Sequence, residues 1–114
     1  MCIIIYHNNR WGKSRKTLQL LRDNGYDPEI IEYLKTPLSE KELTNICGIL
    51  KLNPIDIIRK NEMEYKQIIF SDFDLDNQII RQIAKNPKLM ERPIVIKGEK
   101  GIIGRPPENV LELL

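Results

Sequence analysis

The feature that most constrains the fold is the opening run, Cys2-Ile3-Ile4-Ile5-Tyr6. It is nearly continuous in β-branched residues, as expected of a strand buried on both faces. Behind it, helical spacing begins near Ser14, and Leu18, Leu20 and Leu21 fall on a helix between Thr17 and Asn24. Gly25 is a fitting stop for that helix. Pro28 opens a second apolar run, Glu29-Ile30-Ile31-Glu32-Tyr33-Leu34. Two extended runs joined by one helix make a parallel βαβ unit, whose crossover should be right-handed.

The joint between the first run and its helix, Tyr6-His7-Asn8-Asn9-Arg10-Trp11-Gly12-Lys13-Ser14-Arg15, reads as an anion site. The first N–H groups of a helix have no internal acceptor, and the helix dipole places partial positive charge there. Arg10, Lys13, Arg15 and Lys16 add cations to the same turn. The loop has no nucleophile beyond the weak hydroxyl of Ser14.

Downstream, Ser39-Glu40-Lys41-Glu42 matches the capping box that starts a helix, with Leu43, Ile46, Cys47 and Leu50 on one apolar face. Asn53-Pro54 starts a short helix through Ile55, Ile57 and Ile58 by an N-cap and a first-position proline. Met63 to Ile69 has room for a turn or two of helix, and Leu75 to Lys85 is amphipathic, ended by Asn86-Pro87. Pro93-Ile94-Val95-Ile96 and Ile102-Ile103, separated by residues 97–101, read as an antiparallel hairpin. Pro106-Pro107 then starts a closing helix with Val110, Leu111 and Leu114 as its expected apolar face. The order β-α-β, helices, β-β-α predicts an α/β protein with the thioredoxin-like three-layer α/β/α layout. Its sheet is small, mixed and four-stranded, and the helices between its halves form an insertion.

Composition narrows the function classes. A chain of 114 residues reads as one domain, residues 1–114, with 41% hydrophobic and 30% charged residues. A net charge of +2 does not make the concentrated basic face that nucleic acid requires. With no run long enough to span a membrane and no cleavable leader, the expected location is the cytoplasm. Two distant cysteines and one histidine argue against a disulfide scaffold and a metal site.

Each candidate site residue has a bland counterpart. Gly12-Lys13-Ser14 ends like a phosphate-binding Walker loop, but His7 stands where that motif needs its first glycine, so a plain helix start is preferred. Cys47 lies on an apolar stripe and reads as a buried structural cysteine. Cys2 is five strand residues from His7, about 17 Å at about 3.3 Å per residue, too far to serve the loop. His7, at the strand end, reads first as a satisfied structural histidine. Arg59, Arg92 and Arg105 are surface charges by default. Arg92 and Arg105 stand out because each precedes proline at an end of the hairpin, where a cis bond is permitted and where both could face the first loop.

Taken together, several segments resemble the glutaredoxin-dependent arsenate reductase family. They are Tyr6-His7-Asn8, Gly12, Ser14-Arg15, Thr17-Leu18, residues 32–37, Ile58-Arg59-Lys60-Asn61 with Tyr65, Asn86-Pro87, residues 91–96 and Gly104-Arg105-Pro106. The matches keep their order along nearly the whole chain. The resemblance implies a thioredoxin-like fold with a helical insertion. It also implies an oxyanion pocket for arsenate, with phosphate or sulfate as mimic, formed by Arg59, Arg92, Arg105 and Gly12 beside His7 and Arg15. In that family a loop cysteine in His-x3-Cys-x3-Arg attacks arsenate, and glutathione with glutaredoxin completes reduction to arsenite. Positive charge and a helix N-terminus favour such a thiolate, and guanidinium forks suit the oxyanion.

This chain instead reads His7-x3-Trp11-x3-Arg15. Indole has one N–H donor and no nucleophile, so the resemblance implies a reductase activity that is lost or strongly impaired. Glutathione and glutaredoxin would serve only an active enzyme, and no bound cofactor is expected. The second reading is a non-catalytic binding module akin to the Spx-type regulators of RNA polymerase. Their loop Cys-x-x-Cys is replaced here by Trp11 and Ser14. Trp11 can plug the former pocket or anchor a protein partner, and the residues do not separate these two. The chain is expected to be a monomer.

Overall fold

The computed structural model describes residues 2–71 and 73–114. They form two compact units. The first comprises the chain up to Thr36 together with Arg92–Leu114; the second is Pro37–Glu91.

The first unit is built on the predicted strand. β1 (Ile3–Tyr6), β2 (Glu29–Ile31), β3 (Ile94–Lys97) and β4 (Lys100–Ile103) form one mixed sheet in the order β2-β1-β3-β4. β1 runs parallel to β2 and antiparallel to β3, while β3 and β4 form the hairpin. β1 is therefore interior, as its β-branched run requires, and Ile3, Ile5 and Tyr6 are buried. β2 is an edge strand and is shorter than its apolar run. Beyond Ile31 the chain turns, with the N–H groups of Lys35 and Thr36 donating to the Glu32 carbonyl.

The α1 helix (Gly12–Asp23) starts directly after Trp11, two residues earlier than expected. Its end is a Schellman motif: Gly25 N–H donates to the Arg22 carbonyl and Tyr26 N–H to the Leu21 carbonyl. Gly25 has φ 86°, a conformation that favours glycine. Ile3, Ile5, Leu18, Leu21, Val95 and Val110 make the core between sheet and helices, with Leu20, Tyr26 and Leu113 packed on it.

Two expectations change in the C-terminal part. The hairpin loop is only Gly98-Glu99, because Lys97 pairs with Lys100 inside the ladder. Gly98 has φ 63° and occupies the first central position, as a two-residue turn of the II′ kind requires. The closing helix, Pro107–Leu113, is a 3₁₀ helix. With three residues per turn its inner face is Pro107, Val110 and Leu113. Leu111 and Leu114 are more than a third exposed, contrary to the α-helical expectation.

The second unit is helical: α2 (Glu40–Leu50), α3 (Pro54–Ile57), α4 (Met63–Lys66), α5 (Leu75–Lys85) and a 3₁₀ turn, Pro87–Leu89. Ser39 and Glu42 make the expected capping box, and Asn53 makes a second one with Asp56. Leu43, Ile46, Ile57, Ile79, Ile80, Ile83 and Leu89 are among its buried apolar residues. Cys47 is buried with them.

Candidate functional site

The loop after β1 is tied down at both ends. His7 N–H continues the ladder by donating to the Ile31 carbonyl at 2.8 Å. Its imidazole Nδ1 lies 2.7 Å from Ser14 Oγ, and Asn8 N–H donates to the same oxygen at 3.0 Å. Ser14 is fully buried in the first turn of α1. Its hydroxyl is thus committed to holding the loop and is not poised as a nucleophile. Burial holds the His7 pKa below the usual histidine value; Glu32 opposes that shift, and Arg22 and Arg15 add to it. Arg10 N–H donates to Asn8 Oδ1 and Trp11 N–H to the Asn8 carbonyl, which closes the turn.

Trp11 is the N-cap residue of α1 by backbone geometry. Its carbonyl accepts from Arg15 N–H at 3.1 Å. The N–H groups of Gly12, Lys13 and Ser14 are those that helical geometry leaves without an intrahelical acceptor. Gly12 is exposed, and a Cβ there would meet only Arg15 Nη2 at 3.8 Å, so Arg15 lies beside the helix start. No close approach demands a glycine at position 12.

The indole of Trp11 faces Arg92, whose guanidinium carbon lies 3.9 Å from the ring centroid. Arg92 is 5% exposed. A planar cation on the electron-rich face of indole is a favourable cation–π contact, strongest when water is excluded. Arg92 and Arg105 both precede proline, and both peptide bonds are cis, as the two Arg-Pro dipeptides permitted. Gly104 joins these segments: its N–H donates to the Pro93 carbonyl at 2.8 Å. A Cβ on Gly104 would lie 2.9 Å from both Pro93 Cγ and Thr17 Oγ1. Thr17 Oγ1 itself donates to the Lys13 carbonyl. The hairpin ends and the first turns of α1 are thereby packed together.

The predicted site residues are therefore placed unequally. Trp11, Gly12, Arg15, His7 and Arg92 gather around the loop, and Arg105, which is exposed, follows β4 at the same open end of the hairpin as Arg92. Arg59 belongs to the second unit, where it is ion-paired with Glu62 and its N–H donates to the Leu89 carbonyl at 2.6 Å. Of the two thiols, Cys2 is exposed. Cys47 is buried, and burial with the nearby charges of Asp76 and Asp56 pushes its pKa up to about 11. It lacks the lowered pKa of an attacking thiolate. Sequence reasoning passed over the His7–Ser14 pair. A serine in the first turn behind a strand-end histidine was the available signal. No group of three or more potential metal ligands occurs among the described residues, and no helix there is long and apolar enough to cross a membrane.

Comparison with known proteins identifies the family. The ArsC family model matches residues 6–113. The uncharacterized Escherichia coli protein YfgD is 46% identical, over 96% of this chain and 94% of its own length. An arsenate reductase of Haemophilus influenzae is 41% identical over 100% of both chains. The solved arsenate reductase of Vibrio cholerae superposes with a TM-score of 0.93 at 42% identity, covering 100% of this chain and 98% of that one. By sequence along its whole length and by its thioredoxin-like α/β fold, the chain belongs to the ArsC, or arsenate reductase, family.

Proposed function

We propose that this protein is a non-reducing member of the arsenate reductase family, in which Trp11 occupies the family's oxyanion site. One observation carries the reading: the indole face lies against the Arg92 guanidinium at 3.9 Å. By the family pattern, position 11 is where a thiolate attacks arsenate and Arg92 is one of the arginines that hold it. Indole cannot form the sulfur–arsenic bond that begins that reaction. It also engages the guanidinium that the family pattern assigns to holding the oxyanion through its in-plane N–H fork.

Two further features support the reading. Arg59 is already neutralized by Glu62, and neither Cys2, at the outer end of β1, nor the buried Cys47 substitutes for the loop thiol. The rest of the loop, with His7, Arg15 and the first N–H groups of α1, remains as the family pattern requires. The family chemistry is therefore interrupted at one side chain, and glutathione and glutaredoxin are not consumed by this protein.

The test is glutathione- and glutaredoxin-dependent arsenite formation by the purified protein and by Trp11→Cys. The unmodified chain should stay at the rate of a protein-free control, and Trp11→Cys should rise at least tenfold above it. Turnover by the unmodified chain at the rate of an active family member would overturn the proposal.

A further inference from the structure

A cavity opens beside the loop, at the C-terminal ends of the parallel strands β1 and β2. Its volume is about 230 Å³, and it is lined by His7, Asn8, Asn9, Arg10, Glu32, Leu34 and Lys35. At about 30 Å³ per water in the liquid, that is room for about eight waters. Neither Trp11 nor Arg92 lines it, so it stands whether or not the reading of Trp11 holds.

His7 is only 6% exposed, yet it lines the opening. Its Nδ1 is taken by Ser14 Oγ. That hydroxyl already accepts from Asn8 N–H, is fully buried and has one proton of its own to donate. We assign that proton to Nδ1, 2.7 Å away, which puts the ring proton on Nε2. Among the described residues Nε2–H has no acceptor, and His7 lines the cavity.

The rim supplies complementary charge. Arg10 is exposed, and among the described residues its guanidinium has no carboxylate partner, so its fork is available to one. Glu32 pairs with Lys35 at 3.5 Å, with side chains 40% and 74% exposed. A pair so exposed is weak and readily exchanged for a ligand. Leu34 contributes an apolar wall. The cavity thus has largely apolar walls bordered by residues that carry N–H donors, Arg10 and His7, and a carboxylate acceptor, Glu32. A phosphate dianion suits this set poorly, because Glu32 repels it; a zwitterion satisfies every group.

We propose that this cavity binds a small apolar α-amino acid, its carboxylate on Arg10 and His7 Nε2–H, its ammonium on Glu32 and its side chain along Leu34.

His7 is the sole histidine, so its ring signals in ¹H–¹⁵N spectra report on the cavity without ambiguity. The probes are L-alanine, L-valine and L-leucine. Their controls are 4-methylpentanoate, which lacks the ammonium, 3-methylbutylamine, which lacks the carboxylate, and inorganic phosphate. The expected result is a protonated Nε2 in the free protein and a saturable shift of its signals with at least one amino acid. Affinity should fall about tenfold or more in Glu32→Gln and in Arg10→Gln, each of which removes a charge-assisted partner from the exposed rim. The backbone spectra of both variants establish that they are folded. Absence of a saturable shift with all three amino acids overturns the proposal. So does binding of 4-methylpentanoate or phosphate as tightly as of the amino acid, or binding unchanged in both variants.

Discussion

The two ends of the loop after β1 hold comparable buried groups and use them differently. At one end Arg92, 5% exposed, has its face covered by the chain's own indole. At the other, His7, 6% exposed, has one nitrogen fixed by Ser14 and lines a cavity of about 230 Å³. Burial of a polar group therefore does not by itself mark a site. What decides is whether its last hydrogen-bonding or electrostatic face is met from within the protein or left for a ligand.

Substitutions can break this contrast from either end. The largest effect is expected at Gly104, where a Cβ would stand 2.9 Å from Pro93 and from Thr17. Overpacking of that kind costs about 1–3 kcal/mol, so Gly104→Ala should lower the thermal midpoint and disturb the Trp11–Arg92 end first. Ser14→Ala acts at the other end. It leaves His7 Nδ1 and Asn8 N–H without their partner, at about 1–2 kcal/mol by denaturant unfolding, and frees the imidazole tautomer. Trp11→Ala removes the cation–π contact, worth about 1 kcal/mol, and should leave the His7 signals in place. If Trp11→Ala instead moved the His7 signals as much as Ser14→Ala does, the two ends would not be independent.

A smaller effect follows from pH. The His7 pKa is lowered from an ordinary 6.5 in the folded protein, so the unfolded chain binds more protons than the native one in that range. The stabilization from His7 is complete above 6.5 and is lost as pH falls through the lower folded value. Unfolding midpoints measured from pH 7.5 downward should show this fall, and His7→Gln should flatten it. The mildest test concerns the thiols. In the native protein iodoacetamide should label exposed Cys2 and spare buried Cys47, with a second label appearing only after denaturation. Rapid labelling of Cys47 would reopen a thiol-based reading.

Much of the fold was legible because its signals are local. The β-branched run at Ile3–Ile5, the Gly25 stop, the Ser39 capping box and the span Leu75–Lys85 each encode their own geometry. The errors came where a second strand or a different period decides the outcome. Lys97 joined the ladder because Lys100 faces it, and the closing helix wound as 3₁₀, which exchanged Leu113 for Leu111 and Leu114 on the inner face. At the site, the cationic loop and both Arg-Pro junctions were readable, and so was the lack of a loop thiol. The stacking of Trp11 on Arg92 was not, because it joins residues far apart in the chain whose approach depends on Gly104 having no side chain. The cavity beside His7 was equally hidden, since the order of residues does not show that Glu32 and Lys35 come to lie beside it.

In the proposed function the Trp11 indole, not an oxyanion, is what Arg92 holds. Trp11 is the only tryptophan, so intrinsic fluorescence reads that contact directly. Titration of the unmodified protein with arsenate, and with sulfate at matched ionic strength, should leave the emission maximum and intensity without a saturable change. A saturable change with arsenate, abolished in Arg92→Gln, would contradict it.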